Sequence, residues 1–187
     1  MPYLAAIGTF ATGLMSVINS FVLPSDYGCI ALVNPKTYAT FVSEYWQLEQ
    51  LLDHFISEIN QYHMVAWGCV QGNWKLEIHD QLADISGYQE ISGTIYSSGT
   101  LLLANYDSLT YVAQFIDERL PVRDMENYRI SVDPAKYRCR VIQLFNPQQA
   151  ESEEVFYQES PHFIIEIIED ETTVEPWSKI PWFPISE

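Results

Sequence analysis

The sequence ISGTIYSSGTLLLAN, residues 91–105, places two short apolar runs on either side of the turn-forming pair Ser98-Gly99. Further apolar runs follow at 111–116, 128–132 and 163–168. Residues 105–108, NYDS, have the composition of a turn between two such runs. Short strands at near-regular spacing are typical of antiparallel sandwiches. This part of the chain therefore predicts an antiparallel β-sandwich, with β-structure over residues 64–168.

Two of the expected strands show strict alternation of apolar and polar side chains. It runs along residues 74–79, WKLEIH, and along residues 137–141, YRCRV. A period of two residues indicates a strand with one buried face. Between strands, residues 133–136, DPAK, are typical of a tight turn with proline at its second position. They predict a hairpin that joins residues 128–132 to residues 137–145.

A helical pattern precedes the β-rich part of the chain. After a short apolar run at 28–33, which predicts a buried strand, Asn34 and Pro35 fit the N-cap and first position of a helix. Apolar side chains then recur at alternating spacings of four and three residues: Phe41, Tyr45, Leu48, Leu52, Phe55, Ile59 and Tyr62. This spacing keeps them on one narrow face of a helix. It predicts one long helix from about residue 35 to residue 62.

The combined pattern predicts an α+β fold, an antiparallel β-sandwich with one long amphipathic helix. We expect residues 1–187 to form a single domain, because 187 residues suit one core without disulfides or metal. Residues 169–187 are acidic and contain three prolines. They predict an extended C-terminal tail, anchored in part by Trp177, Trp182 and Phe183.

The charge balance excludes several classes of partner. The chain has 25 Asp and Glu against 9 Lys and Arg, a formal net charge of −16. Binding to nucleic acid or to an anionic membrane needs excess positive charge, so we expect neither. Most of the bases lie between residues 119 and 140, where they can pair with acids on neighbouring strands. The remaining acids serve either solubility or the attraction of a basic protein partner.

The cysteines and the N-terminus bear on location. Cys29, Cys69 and Cys139 lie far apart, with no spacing that suits zinc, so we expect reduced thiols, no cofactor and a cytoplasmic protein. Residues 2–25 are uncharged, but the basic N-terminal region of a signal peptide is missing. Several polar residues dilute this apolar stretch. We expect an ordinary buried segment, with a membrane or export segment as the alternative.

Candidate catalytic groups are sparse. Glu77 and His79 would share a strand face and could bind a metal together, but we expect a solvated strand edge instead. His162 and Glu166 fit a structural role on another strand. The nucleophile and phosphate-binding motifs that identify many enzymes do not occur in the sequence. A hydrolase or metal-dependent enzyme with an unrecognised site is therefore an alternative rather than the main hypothesis.

Two groups of residues are candidates for partner binding. On the expected helix, Trp46 would point away from the core with acidic and amide neighbours one and two turns on, Glu49, Gln50 and Asp53. An exposed tryptophan with an acidic rim has the character of an interface anchor, unless another layer covers it. The second group combines acids with a tryptophan in the tail: Glu169, Asp170, Glu171 and Trp177.

Residues 91–168 resemble the competence protein J-type nuclease inhibitors and related small β-sandwich proteins. The resemblance lies in SSGTLLLANYDS at 97–108, in Leu120-Pro121, and in ISVDPAKYRCRVIQLF at 130–145. One departure is that Ala135-Lys136 precedes Tyr137, where a glycine is common in such proteins. The resemblance implies a β-sandwich that binds and blocks a basic nuclease or toxin. The predicted function is an immunity or inhibitor protein, and an oligomerising scaffold protein is a further alternative.

Overall fold

Strands dominate the architecture. The computed structural model describes residues 17–82, 84–149, 159–172 and 174–184. In this part of the chain the strands are β1 (Val17–Ser25), β2 (Gly28–Val33), β3 (Met64–Cys69), β4 (Gly72–His79), β5 (Gln89–Tyr96), β6 (Thr100–Asn105), β7 (Arg129–Ser131), β8 (Lys136–Gln143) and β9 (Phe163–Glu169). The helices are α1 (Leu48–Asn60) and α2 (Tyr106–Gln114). The prediction of an α+β fold is confirmed.

The strands form two sheets. The five-stranded sheet has the order β1-β4-β9-β8-β5, and the four-stranded sheet has the order β3-β2-β6-β7. Strands β4 and β9 run parallel, from the pair Leu76 and Phe163 to the pair His79 and Glu166. The other pairings in the described chain are antiparallel. The expectation of a wholly antiparallel arrangement is therefore wrong, because β9 enters between β4 and β8 after a long connection.

The two sheets pack against each other through one hydrophobic cluster. It takes Ile30 and Leu32 from β2, and it takes alternate residues of β4, β8 and β9 from the facing sheet. Trp67 of β3 meets Phe163 of β9 with ring centroids 5.8 Å apart. The alternation seen in residues 74–79 and 137–141 corresponds to this inward face.

Both helices cover the outer face of the four-stranded sheet. A second cluster joins the other side of β2, including Ala31 and Val33, to side chains of α1 and α2. Strands β2 and β3 are consequently buried on both faces along their whole length. This confirms the strand predicted at 28–33. Burial on both faces also explains why β3, like β2, is an apolar run without alternation.

The single helix expected from residue 35 to residue 62 is wrong in extent. The helix α1 has 13 residues and begins at Leu48. Asn34 instead closes a turn: its Oδ1 accepts from the Lys36 nitrogen at 3.1 Å, while its Nδ2 donates to the Tyr96 carbonyl at 2.9 Å. The amide thus ties this turn to the end of β5 in the other sheet. Tyr45, assigned to the buried stripe, is 83% exposed.

Two expected connections also differ from the structure. Strand β7 pairs with β6, and β8 pairs with β5 and β9, so residues 132–135 cross between sheets and the predicted hairpin is wrong.

Residues 105–108 start the helix α2 rather than forming a turn between strands. Asn105 is its N-cap, with Oδ1 accepting from the Ser108 nitrogen at 3.0 Å. The strand expected at 111–116 is therefore wrong, because most of that run lies in α2.

The N-terminal segment is a strand in the part that the structure describes. Residues 1–16 of the segment expected to be buried lie outside the described residues. Residues 17–25 form β1, which pairs with β4, and only Leu23 and Ser25 of this strand are buried. No helix in the described ranges has the length and apolar character needed to cross a membrane.

Candidate functional site

Trp46 lies two residues before α1 and is half-buried. It packs against the hydrophobic cluster between the helices and the four-stranded sheet. The expectation that Trp46 lies on a helix and points away from the core is therefore wrong. The chain enters α1 only at Leu48, so helical geometry does not set the direction of this side chain. Its role in partner binding stays a prediction.

The other three residues of the first candidate group do lie on α1 and are exposed. Glu49 and Asp53 are one turn apart. Gln50 has a structural contact: its Oε1 accepts from the backbone nitrogen of Gln47 at 2.8 Å, which closes the capping box at the start of α1. The two carboxylates are thus the charged groups that this helix presents.

A groove of about 750 Å³ separates α1 from the C-terminal tail. It is lined by Leu48, Glu49, Leu52, Asp53, Ile56, Ser178, Lys179, Ile180, Trp182 and Phe183. Apolar side chains from both sides form most of this lining. Two of the acids predicted as partner-binding residues therefore stand beside an apolar groove.

The tail is held in a fixed position beside this groove. Ile180 is buried in the cluster beneath the helices. The nitrogen of Gly68, in β3, donates to the Pro181 carbonyl at 2.8 Å. A Cβ atom on Gly68 would lie 1.9 Å from the Trp182 carbonyl oxygen, so glycine is required for this approach. The tail thus follows the edge of β3 and forms a rigid wall of the groove.

A second concavity, of about 490 Å³, contains Trp46. Its other lining residues are Asp26, Tyr27, Gln71, Tyr106, Asp107 and Thr110. The backbone nitrogen of Asp26 donates to Oδ2 of Asp107 at 3.3 Å. Partial burial, followed by the hydrogen bond and charge of the Asp26 carboxyl group, raises the pKa of Asp107. Two close carboxyl groups make this concavity acidic.

A third concavity, of about 380 Å³, lies at the C-terminal end of α2. Its lining residues are Glu44, Tyr45, Gln114, Phe115, Ile116, Asp117 and Glu118. The segment 44–49 contributes to all three concavities. We call the residues that line the three concavities the helical face. They include seven carboxylates and one base, Lys179.

Sequence reasoning missed most of this surface. The acids outside α1 were not proposed as site residues, because Asp26, Asp107 and Asp117 come from separate segments. Tyr45 was assigned to the core, and residues 115–116 to a strand. No periodic pattern in the sequence marks the residues of the helical face. They come together only through the packing of α2 against the four-stranded sheet.

Two arginines on the five-stranded sheet are paired with acids. Arg140 of β8 contacts Glu90 of β5, with Nε to Oε2 at 3.0 Å, and Glu166 of β9, with an Nη to Oε2 distance of 3.2 Å. Glu166 has no exposed surface. The hydrogen bond to Glu90 and the charge of Glu166 raise the pKa of Arg140. Arg138 lies 3.6 Å from Asp170. The expected pairing of the basic segment across strands is confirmed for these two arginines.

The ion pair with Arg138 involves a residue of the second candidate group, Asp170. Asp170 contacts Arg138, and its Oδ1 also accepts from the Thr172 nitrogen at 2.8 Å. Hydrogen bonds from the backbone and the side chain of Thr172, followed by the charge of Arg138, lower the pKa of Asp170. Glu169 and Glu171 are exposed, and Trp177 is half-buried beyond them. Of this group, Trp177 adjoins the end of α1 through Asn60, whereas the acids of the first group lie in the first half of that helix.

The candidate catalytic groups have structural contacts. His79 is buried, and its Nε2 lies 3.1 Å from Oε2 of Glu77. Strand β4 lies between β1 and β9, so the interpretation of a solvated edge is wrong. The Nδ1 of the buried His162 accepts from the Lys75 nitrogen at 2.9 Å. Within the described ranges, no group of three or more His, Cys, Asp or Glu side chains is placed to hold a metal ion.

The three cysteines are buried free thiols. Burial raises the pKa of Cys69 and of Cys139 to about 12, and it also raises the pKa of Cys29. The nucleophilic thiolate is therefore disfavoured at neutral pH. These thiols are packing groups in the two clusters.

Comparison with known proteins gives a likeness of fold. No family model matches the sequence, and no curated protein matches it closely enough to indicate a relationship. A solved structure entitled "Crocagin biosynthetic gene J" superposes with a TM-score of 0.59 and 14% identity, over 84% of this chain and 99% of that chain. ComJ from Bacillus subtilis, described as an inhibitor of the DNA degrading activity of NucA, has a TM-score of 0.44 and 10% identity over the same shares. Structural neighbours of this chain thus include the inhibitor type that residues 91–168 resemble.

Proposed function

We propose that this protein binds and blocks a basic protein, a nuclease or a toxin, by covering part of its surface with the helical face. The observation that carries the proposal is the set of seven carboxylates on the helical face. Arg138 and Arg140 offset carboxylates on the five-stranded sheet, whereas none of the seven carboxylates of the helical face forms an ion pair with a described residue. With Lys179 as the one base among the lining residues, these acids give the helical face a net negative charge.

The helical face also offers apolar area beside its charges. Around Glu49 and Asp53, the groove contains Leu52, Trp182 and Phe183. Protein interfaces combine a central apolar contact with a polar rim, and tryptophan often contributes strongly to binding energy. A surface that served solubility alone would need the acids but not the apolar groove. This combination supports a protein partner.

A nuclease is the class of basic protein that the resemblance of residues 91–168 implies. A nuclease binds a polyanion, so its substrate-binding surface is rich in Lys and Arg. A fixed array of carboxylates has the same sign of charge as the nucleic acid and can occupy that surface in its place. Inhibition of this kind works by occlusion and needs no catalytic group or cofactor in the inhibitor.

The predicted partner-binding residues have distinct roles in this proposal. Glu49 and Asp53 attract the partner, while Trp46 supports the segment that leads into α1. Gln50 caps the start of α1 and so affects binding only by holding that helix in place. In the tail, Glu169 and Glu171 with Trp177 provide a second contact, and Asp170 is held by Arg138. The proposed setting is the cytoplasm, where Cys29, Cys69 and Cys139 stay reduced.

The test uses a purified nuclease encoded by a reading frame next to the gene for this protein. Equimolar protein is expected to stop DNA degradation by that nuclease, and a 1:1 complex is expected in gel filtration. The variant Glu49→Lys/Asp53→Lys should inhibit at least tenfold less well. The control Asp80→Lys/Asp84→Lys makes the same change of charge at exposed sites outside the helical face. Full nuclease activity at a tenfold excess of the protein would contradict the proposal.

A further inference from the structure

Exposed apolar side chains cluster at the C-terminal end of α2. We call them the aromatic patch, and they are Tyr45, Tyr111, Phe115 and Ile116. Their exposed fractions are 83%, 43%, 45% and 58%. Tyr111 and Phe115 are in contact, with ring centroids 4.9 Å apart. Three of the four line the same concavity. Large apolar groups grouped in this way on a surface indicate an interaction site.

Hydrogen bonds fix the patch in place. The nitrogens of Val42 and Ser43 both donate to the Ala113 carbonyl, at 2.9 and 3.1 Å, which joins the segment before Tyr45 to the last turn of α2. The Arg119 guanidinium donates to the carbonyls of Ile116 and Glu118 at 2.7 and 2.6 Å. The loop after α2 is thereby closed onto itself. A surface ordered before binding loses less conformational entropy when a partner docks.

The charge around the patch is negative. Glu44, Asp117 and Glu118 line its concavity. The last turn of α2 has no basic side chain, so the partial negative charge of that helix end is not offset within the helix. Arg119 is the neighbouring base, and its guanidinium contacts backbone carbonyls as described above. The site therefore favours a ligand with positive charge.

We infer that the aromatic patch is the anchor point of the proposed interface, and that its occupant is a basic segment of the partner with arginine or lysine beside an apolar side chain. This inference rests on the proposed function. Guanidinium and ammonium groups are attracted to the faces of tyrosine and phenylalanine rings, and the three carboxylates add to that attraction. A second copy of this chain would bring another acidic surface to the patch. An anionic membrane would be repelled.

The test combines patch variants with a defined probe. The variant Tyr45→Ser/Ile116→Ser removes the two most exposed side chains of the patch. Its matched control is Tyr88→Ser/Leu82→Ser, at positions 55% and 59% exposed. The control residues lie in the loop that packs on the five-stranded sheet through Ile85 and Tyr88. Both variants should keep the thermal unfolding midpoint of the wild type to within about 2 °C, as surface substitutions do.

Two synthetic amphipathic peptides serve as probes, with the same apolar residues and either Lys and Arg or Glu at the polar positions. The basic peptide is expected to shift the backbone amide NMR signals of residues 44–45 and 114–118. Its Kd should rise at least tenfold in the patch variant and stay unchanged in the control variant. The acidic peptide should not bind.

Three outcomes would overturn the inference: equal binding of both peptides, shifts away from the patch, or self-association of the wild type that the patch variant abolishes. The nuclease assay separates this inference from the proposed function. If the patch variant inhibits the nuclease as well as the wild type does, the anchor lies elsewhere and the proposed function stands. If the wild type fails to inhibit, the proposed function is wrong, and peptide binding alone decides whether the patch is a basic-segment site.

Discussion

Asn60 and Trp177 are joined by two hydrogen bonds between side chain and backbone. Nδ2 of Asn60 donates to the Trp177 carbonyl at 3.0 Å, and the Trp177 nitrogen donates to Oδ1 of Asn60 at 2.8 Å. The side-chain amide thus satisfies both backbone polar groups of one residue in the tail. Because Asn60 ends α1, this pair fixes the point from which the tail runs to the buried Ile180 and forms one wall of the groove.

Replacing Asn60 with alanine should loosen the tail. The free energy of unfolding is expected to fall by about 1–3 kcal/mol, since two hydrogen bonds of about 0.5–1.5 kcal/mol each are lost. Tryptic cleavage after the exposed Lys179 should become faster, because proteolysis follows local opening. Asn73→Ala, at an exposed position in β4, is the control and should change neither measurement. Equal cleavage rates in Asn60→Ala and the wild type would contradict the role of this pair.

Leu51 and Leu52 should respond differently to truncation. Leu51 lies on the inner side of α1 and is fully buried, whereas Leu52 is half-buried beside the groove. Leu51→Ala should lower the free energy of unfolding by about 2–5 kcal/mol, as a cavity in a packed core does. Leu52→Ala should cost about 1 kcal/mol, because water already reaches part of its side chain. Urea denaturation of both variants measures the difference, and equal losses would show that the tail seals the groove.

The same two leucines show how far helical periodicity can predict a buried face. The spacing from Phe41 to Tyr62 is regular, yet the buried residues of α1 are Leu51, Phe55, Glu58 and Ile59. Two positions of the stripe, Phe55 and Ile59, are shared. Leu48 and Leu52 differ because they face the apolar groove between α1 and the tail. The other three positions lie outside α1. Sequence spacing does not reveal that groove.

Strands were predicted where sequence gives a local signal, and their partners were not. The alternation in residues 74–79 and 137–141 places β4 and β8 correctly. The residues NYDS after β6 suit both a turn and a helix N-cap, and the choice between them depends on the packing of α2. Proline at position 134 marks a bend, but only the tertiary structure decides which sheet receives the chain. The acids of the helical face that lie outside α1 were unpredictable for the same reason.

Removing Arg140 should be far more damaging than removing Arg138. Arg140 contacts Glu166, which has no exposed surface, so Arg140→Met leaves a buried carboxylate without this cation. Loss of one partner of a buried ion pair costs about 3–5 kcal/mol. Arg138 and Asp170 form a partly exposed pair, and Arg138→Met should cost at most about 1 kcal/mol. Equal losses for the two variants in chemical denaturation would contradict the structural importance assigned to Glu166.

Asp107 and Asp170 should show opposite effects on stability as a function of pH. Burial, with Asp26 nearby, raises the pKa of Asp107, so ionisation of Asp107 opposes folding at neutral pH. Hydrogen bonds from Thr172 lower the pKa of Asp170, so its ionisation favours folding above the unfolded-state value. Asp107→Asn should therefore raise stability at pH 7, and Asp170→Asn should lower it. Both differences from the wild type should shrink as the pH falls below the two carboxyl pKa values.

Charge reversal on α1 should act mainly on the rate of association. Glu49 and Asp53 are exposed and form no ion pair with a described residue. Their charges therefore act on an approaching basic partner more than on folding. Glu49→Lys/Asp53→Lys is expected to slow association with the nuclease by about tenfold at low salt and to change dissociation little. The difference should shrink as salt rises, because the Debye length falls to about 3 Å near 1 M. Stopped-flow measurements at several salt concentrations test this, and a rate defect of the same size at every salt concentration would mean that the two residues act by contact rather than by charge.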